Sequence, residues 1–352
     1  MDAAGDPLVH SCDADRGIRR RRRGRGFSYV DHQGARITEP ATLARIRALA
    51  VPPAWTDVWI CADPAGHLQA TGRDAKNRKQ YRYHRQWRRY RDAAKFHELA
   101  GFGAVLVALR KQVDADLRTP RLRLDRVVAA VVRLLDETLI RVGNDEYVRS
   151  GNSFGLTTLR SRHAVIEGAE VRFRFPGKAG APHDVVVQDR RVANVLRRCQ
   201  DLPGQRLLQY VNGTESRSIG SSDVNDYLRR VTGADYTAKT FRTWGASAVV
   251  LGHLRRLAPA GRREHEAQTA EAVRIAARHL HNTPAVCRKS YVHPVLLADD
   301  RPELDRLIEL SRANASRASR WMDADERALL KVLTAAERSH DPHHAQGLPS
   351  GS

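Results

Sequence analysis

The 352-residue chain carries 60 lysines and arginines against 40 acidic residues, a formal net charge of +20 at pH 7, and that excess points to a polyanionic partner, most simply nucleic acid. Its 41% hydrophobic content supplies a core for one large domain or two ordinary ones. No apolar run of about 20 residues, no signal peptide, no CxxC pairing among Cys12, Cys61, Cys199 and Cys287 and no GxxxxGK(S/T) loop is present, which argues against a membrane partner, secretion, a zinc or disulfide framework and ATP binding, and for a cytoplasmic protein.

In chain order, residues 1–25 read as a disordered basic arm ending in the run Arg19–Arg23. "FSYVDHQGARI" has strand–turn–strand character around Gly34. Thr38 is placed to cap a short helix with Pro40 in its first turn and Leu43, Ile46 and Leu49 on one face. "DVWICADPAGHLQAT" reads as a hairpin turning at Asp63–Gly66, so residues 26–90 form a small α+β unit. "QYRYHRQWRRYRDAAKFHEL" reads as a basic, aromatic helix or helix pair leading into a second unit, 91–338, in which helices dominate. There Thr119-Pro120 is expected to open a long helix with Leu124, Val127, Val128, Val131, Leu134 and Leu135 on its apolar face, ending at Arg141–Asn144. Val171, Phe173 and Phe175 alternate into a hairpin that turns at Gly177–Gly180 and returns through Val185–Val187. Further helices are expected from Ser222, from Thr237 to about Leu257, and from about Glu264 to His281. The last breaks at Asn282-Thr283-Pro284, and Tyr291 stands just before His293-Pro294. Residues 339–352 read as a disordered tail.

Four residues suit phosphodiester cleavage without a metal. A phenolate at Tyr291 can attack phosphorus, and nearby cations would favour that ionised form. The guanidinium forks of Arg141 and Arg242 match the two non-bridging oxygens of a pentacoordinate transition state. Phe241 and Trp244 suggest that Arg242 is partly buried, whereas Arg141 sits where an apolar helix meets a Gly-Asn turn. Lys178, at a hairpin tip, can protonate a leaving sugar hydroxyl. Only eight of the 60 basic residues are lysine, and an ammonium can release a proton where a guanidinium cannot.

The segments "RVGNDEYVRSGNSFGLTTLRSRH", "AKTFRTWGA", "NTPAVCRKSYVHP" and, in the first unit, "GRDAKNRKQYRY" resemble type IB DNA topoisomerases of the small poxvirus and bacterial kind, from about Phe27 to Pro294. The resemblance implies an α+β architecture in which a small β-rich amino-terminal domain and a larger, mainly α catalytic domain form a clamp around duplex DNA. It implies relaxation of supercoils through a 3′-phosphotyrosyl intermediate by a nucleoid-associated monomer, with no cofactor, no obligatory metal and no small-molecule substrate. Carried over, the family's arginines fall on Arg141 and Arg242, its hairpin lysine on Lys178, its nucleophile on Tyr291, and the basic residue three before the second arginine on Lys239. Its DNA-contacting residues fall on Gln80, Tyr81, Tyr83 and Tyr147. Where poxvirus enzymes have a catalytic histidine this chain has Asn282, preceded by His281; Asn144 and Glu146 replace lysines, and Cys287-Arg288 replaces Ser-Lys. Asn282 can donate a neutral hydrogen bond but cannot serve as an acid near neutral pH. Two other readings stand beside this one: a tyrosine recombinase, which shares the chemistry, and a non-catalytic duplex-binding protein, which only Asn282 favours.

Overall fold

The computed structural model describes residues 8–24, 26–75, 77–145, 148, 152–257, 262–297, 301–312 and 319–340. The chain forms two compact units, Met1–Ala94 and Lys95–Ser352.

The first unit is a five-stranded antiparallel sheet in the order β2-β1-β3-β4-β5, with β1 Gly17–Arg23, β2 Gly26–Val30, β3 Thr56–Cys61, β4 Leu68–Arg73 and β5 Lys79–Tyr83. The run Arg19–Arg23 is therefore not a disordered arm. It pairs with β2 from Arg19↔Val30 to Arg23↔Gly26, and Gly17 to Arg19 also pair with β3. Five consecutive arginines conceal the alternation of a strand, but the hydrogen-bond ladders on both sides supply what the side chains do not. Ile18 is buried, and Arg20 lays its guanidinium 4.1 Å from the Phe27 ring centroid while donating to the Pro52 carbonyl at 3.1 Å. Gly17 is required for close packing, because a Cβ there would lie 2.0 Å from Trp59 Nε1. Of the expected strand after the Gly34 turn, only a bridge between Val30 and Arg36 forms. Helix α1, Pro40–Ala48, starts after Glu39 and not after Thr38, with no side-chain cap; Pro40 in its first turn carries the start signal. Ile18, Ile46, Val58, Ile60 and Ala70 make the core of this unit.

Helix α2 runs unbroken over Arg85–Leu117, a single helix and not a pair, while Gln80–Tyr83 belong to β5. The next helix, α3, is Leu124–Thr138. Thr119-Pro120 does not open it: the Thr119 hydroxyl bonds back to the Asp116 carbonyl at 2.8 Å and closes α2 instead. Nor does α3 reach Arg141, because Leu139 turns left-handed at φ 54°. Of the expected apolar face, Val127, Val128, Val131, Leu134 and Leu135 are buried and Leu124, at the helix start, is half-buried. A three-stranded antiparallel sheet follows, β6 Ala164–Glu167, β7 Glu170–Pro176 and β8 Pro182–Gln188. Helix α4, Arg190–Gln200, is capped by Asp189. The ribbon β9 Gln209–Asn212 and β10 Glu215–Ser218 precedes α5 Ser221–Thr232, α6 Ala238–Leu254, α7 Arg262–His279, α8 Pro284–Ser290, α9 Arg301–Arg312 and α10 Ala324–His340. Residues 339 and 340 of the expected tail thus belong to α10, and 341–352 lie outside the described residues.

The core of the second unit gathers around α3 and α6, where Phe102 meets Phe241 edge-on at 5.0 Å. A buried polar hub ties the last helix to it. Arg110 donates to Asp136 and to Glu326, both at 2.7 Å, and Trp244 Nε1 donates to Glu326 at 2.9 Å. One charge cluster therefore fixes α2, α3, α10 and the α6 segment two residues from Arg242, since a buried guanidinium needs such partners. Among the described residues no helix is long and apolar enough to cross a membrane.

Candidate active site

Arg141 lies just past the left-handed Leu139, outside any helix or strand. Its carbonyl accepts from Leu156 N at 2.9 Å, and the next carbonyl, Val142 O, accepts from Thr157 N at 2.7 Å. The chain passes itself closely here: a Cβ on Gly155 would lie 2.5 Å from Arg141 O, and Gly143 has φ +98°. The two glycines of "RVGN" and "SFG" are thus one packing device. Glu146 and Tyr147, between them, lie outside the described residues.

Arg242 is 3% exposed. Its two terminal nitrogens donate to Leu139 O and to Leu280 O, the latter at 3.0 Å, so one guanidinium joins the turn after α3 to the end of α7. The same group lies 4.9 Å from the centre of the Tyr291 ring. Burial lowers its pKa, and the Tyr291 oxygen opposes that shift; arginine stays cationic all the same.

The segment between α7 and α8 brings the remaining groups in. His281 is left-handed at φ 47°, Asn282 N returns to Ala277 O at 2.9 Å, and Thr283 caps α8 with Pro284 at its start. Tyr291 is the residue that ends α8, its N–H bonded to Cys287 O at 2.9 Å. Cys287 is fully buried, so the Cys that replaces Ser serves packing, and burial raises its thiol to about 11. Ser247 of α6 donates to Tyr291 O at 3.3 Å and accepts from His293 N at 3.0 Å, fixing the backbone on that side. Burial alone would raise the Tyr291 pKa, but Arg242, Arg141 and Lys239 outweigh it, and the phenol falls below its ordinary value. Arg141 Nη2 donates to Asn282 Oδ1. Among the described residues Asn282 Nδ2 and Arg242 Nε are buried without a hydrogen-bond partner.

Arg141, Arg242, Asn282 and Tyr291 therefore come together, with Lys239 one helical turn before Arg242 on exposed surface and acting on Tyr291 by its charge. Lys178 stands apart. It is exposed in the turn between β7 and β8, and among the described residues its ammonium makes no ion pair or hydrogen bond. In the first unit β5 carries Gln80, which donates to Asp74 at 3.1 Å, and Tyr81 and Tyr83, whose rings stack at 6.1 Å with Tyr81 45% exposed.

Sequence reasoning passed over Ser247 and His183. His183 of β8 is 5% exposed and is paired with Phe175 across the hairpin, its ring 4.6 Å from that of Phe175 and 3.9 Å from that of His281. Strand alternation puts it on the buried face with Val185's neighbour Val187; nothing local marks it as more than a core residue.

Burial, then the charges of His281, Arg141 and Arg242, pushes the His183 imidazole down to about 4, and burial does the same to His293. Both lie below the ordinary value near 6.5, so between about pH 6.5 and 4 the unfolded chain binds more protons than the folded one. Stability is full above that window and is lost as pH falls through it, by about 3 kcal/mol per group at most. The melting midpoint should fall by at least about 5 °C from pH 7 to pH 4.5, and His183→Phe should flatten the curve. A midpoint independent of pH over that range would contradict the buried neutral rings.

A family model described as the catalytic core of eukaryotic DNA topoisomerase I matches residues 84–306. A second, the N-terminal domain of bacterial DNA topoisomerase IB, matches residues 26–74. A DNA topoisomerase 1B of Acanthamoeba polyphaga mimivirus is 30% identical over 298 residues, which covers 82% of this chain and 89% of that relative. Two adjoining family matches, a relative that spans nearly the same length, and a tyrosine set among arginines agree with one another: the chain belongs to the type IB DNA topoisomerase family, isomerases that relax supercoiled DNA.

Proposed function

We propose that Tyr291 is the nucleophile of the relaxation reaction and that Arg141, Arg242, Asn282 and Lys178 complete the site. The observation that carries this reading is the Arg242 guanidinium, held by two carbonyls and poised over the Tyr291 ring. Tyr291 loses its proton to solvent and its oxygen bonds to phosphorus. The bond from phosphorus to O5′ breaks, its electron pair goes to O5′, and that oxygen takes a proton from the Lys178 ammonium. The transition state places charge on two non-bridging oxygens. Arg141 and Arg242 bind them, and the unpartnered N–H groups Asn282 Nδ2 and Arg242 Nε are the donors such oxygens would satisfy. Arg141 meanwhile donates to Asn282 Oδ1, which holds the amide beside the arginine it would work with. Once the 3′-phosphotyrosyl bond has formed, the free 5′ end swivels, and reversal of the same steps reseals the strand without ATP.

The exposed Tyr81, with Tyr83 and Gln80 beside it on β5, supports a DNA-contacting role for the first unit, and Lys239 and Tyr147 are assigned to the DNA as well. The two units acting as a clamp on duplex DNA, in a monomer associated with the nucleoid, complete the reading.

The proton-donor role is the most exposed part of it. Lys178→Ala should slow single-turnover cleavage of an ordinary duplex by about 10²–10⁴. A duplex whose scissile O5′ is replaced by sulfur should recover most of that loss, since a thiolate leaves without a proton. A Lys178→Ala enzyme that the sulfur substrate does not rescue would make Lys178 a simple phosphate clamp.

A further inference from the structure

The sheet that presents Lys178 is joined to the turn that presents Asn282 by a ring stack. The hairpin turn is Gly177-Lys178-Ala179-Gly180-Ala181, closed at its base by Gly177 N to Ala181 O at 2.7 Å. Five residues after the lysine, His183 turns inward, and Gly177 is folded over it so closely that a Cβ there would lie 2.4 Å from His183 Nε2. The imidazole lies between Phe175 of its own hairpin, stacked at 4.6 Å and 11°, and His281, packed against it at 3.9 Å and tilted by 35°. His281 is held in a left-handed conformation and leads directly into Asn282, whose side chain receives Arg141.

The two residues at this turn thus divide their work. Asn282 faces the arginine, and His281 faces the hairpin. Among the described residues the Lys178 ammonium makes no hydrogen bond or ion pair that would place it, and the tip around it, Ala179 and Gly180, is exposed with positive φ at both. Whatever aims the lysine must act at the base of the hairpin, and the base rests on His183.

We propose that His183 is a positioning residue for leaving-group protonation: stacked between Phe175 and His281, it locks the Lys178 hairpin to the Asn282 turn, so that proton donor and phosphate-binding groups meet the scissile phosphate in one fixed geometry. This rests on the reading of Lys178 as the proton donor. Rings suit the task because paired rings have preferred separations and angles, which fix the distance between the elements that carry them. Displacement of a reacting group by about 1 Å can cost about 10²-fold in rate, so a loosened hairpin should be felt in chemistry well before it is felt in folding.

The test compares single-turnover cleavage of an ordinary duplex and of the 5′-sulfur duplex by four enzymes: wild type, Lys178→Ala, His183→Ala and His183→Phe. His183→Ala should cleave the ordinary duplex about 10²-fold slower than wild type, and the sulfur duplex within about tenfold of it. His183→Phe, which keeps the stack and loses the nitrogens, should stay within about tenfold on both. If His183→Ala does not fold, His281→Ala removes the stack from its less buried side and should show the same selective defect in smaller degree. A normal rate for His183→Ala on the ordinary duplex would overturn the proposal, as would an equal loss on both substrates, which is the signature of general structural damage. Rescue of Lys178→Ala by sulfur without rescue of the stack variants would overturn it alone. No rescue of Lys178→Ala would bring down the proton-donor reading and this proposal together.

Discussion

Tyr291→Phe should relax no supercoiled plasmid, even over hours at enzyme excess, while binding duplex DNA within about twofold of the unmodified protein. The loss is complete if, as proposed, the oxygen that the substitution removes is the one that bonds to phosphorus. Binding survives because affinity for a duplex comes mainly from phosphate contacts, and this chain has a net charge of +20 to supply them. The fold survives too. The phenyl ring keeps its place under Arg242, and the contacts that hold residue 291, Cys287 O to its N–H and Ser247 Oγ to its carbonyl, are to backbone. Residual relaxation above about one part in a thousand, from protein verified by mass, would assign the nucleophile elsewhere.

Arg242→Ala is the second large effect, and its cost has two sources. The cation that lowers the Tyr291 pKa is gone, together with the proposed fork for the non-bridging oxygens. Removing one such donor typically costs about 10²–10³ in rate, and a guanidinium that neutralises transferring phosphate is worth about 10³–10⁵. Cleavage should therefore slow by about 10³-fold or more. The carbonyls of Leu139 and Leu280 also lose their charged donor, at about 1.5–3 kcal/mol for each hydrogen bond. Arg242→Lys should recover little, because one ammonium cannot reach two carbonyls and a phosphate at fixed angles. A folded Arg242→Ala enzyme that cleaves within tenfold of wild type would remove Arg242 from the chemistry.

The site was legible where chemistry is written in short segments. Arg242, Asn282 and Tyr291 sit next to helix starts and stops that announce themselves: Thr237 before α6, Thr283-Pro284 before α8. The β7–β8 hairpin was legible because Val171, Phe173 and Phe175 alternate between two glycine turns. Elements failed where local signals conflicted with tertiary ones. The arginine run of β1 looks like a solvated tail until its two neighbouring strands are known. Thr119-Pro120 has the appearance of a helix start, but its hydroxyl is taken by the helix before it. Glu326 and Arg110 meet from distant parts of the chain, as do His183 and His281, and no local pattern marks either pair. What the fold adds to the reading is therefore the support of the candidate site: Ser247 behind Tyr291, Glu326 behind Trp244, and His183 against Gly177, next to the lysine.

One covalent bond, between Tyr291 and a 3′ phosphate, decides the proposed chemistry. The direct measurement uses a duplex nicked so that the strand on the 3′ side of the scissile phosphate, which leaves with a free 5′-hydroxyl, is short and diffuses away, which strands the enzyme on DNA. Protease digestion and mass spectrometry of the trapped species then locate the linkage. The expected result is a single adduct on the peptide containing Tyr291, with the DNA joined through its 3′ phosphate, formed equally well in EDTA and absent from Tyr291→Phe. An adduct on another residue, or a linkage through a 5′ phosphate, would contradict the assignment of Tyr291 and the chemistry built on it.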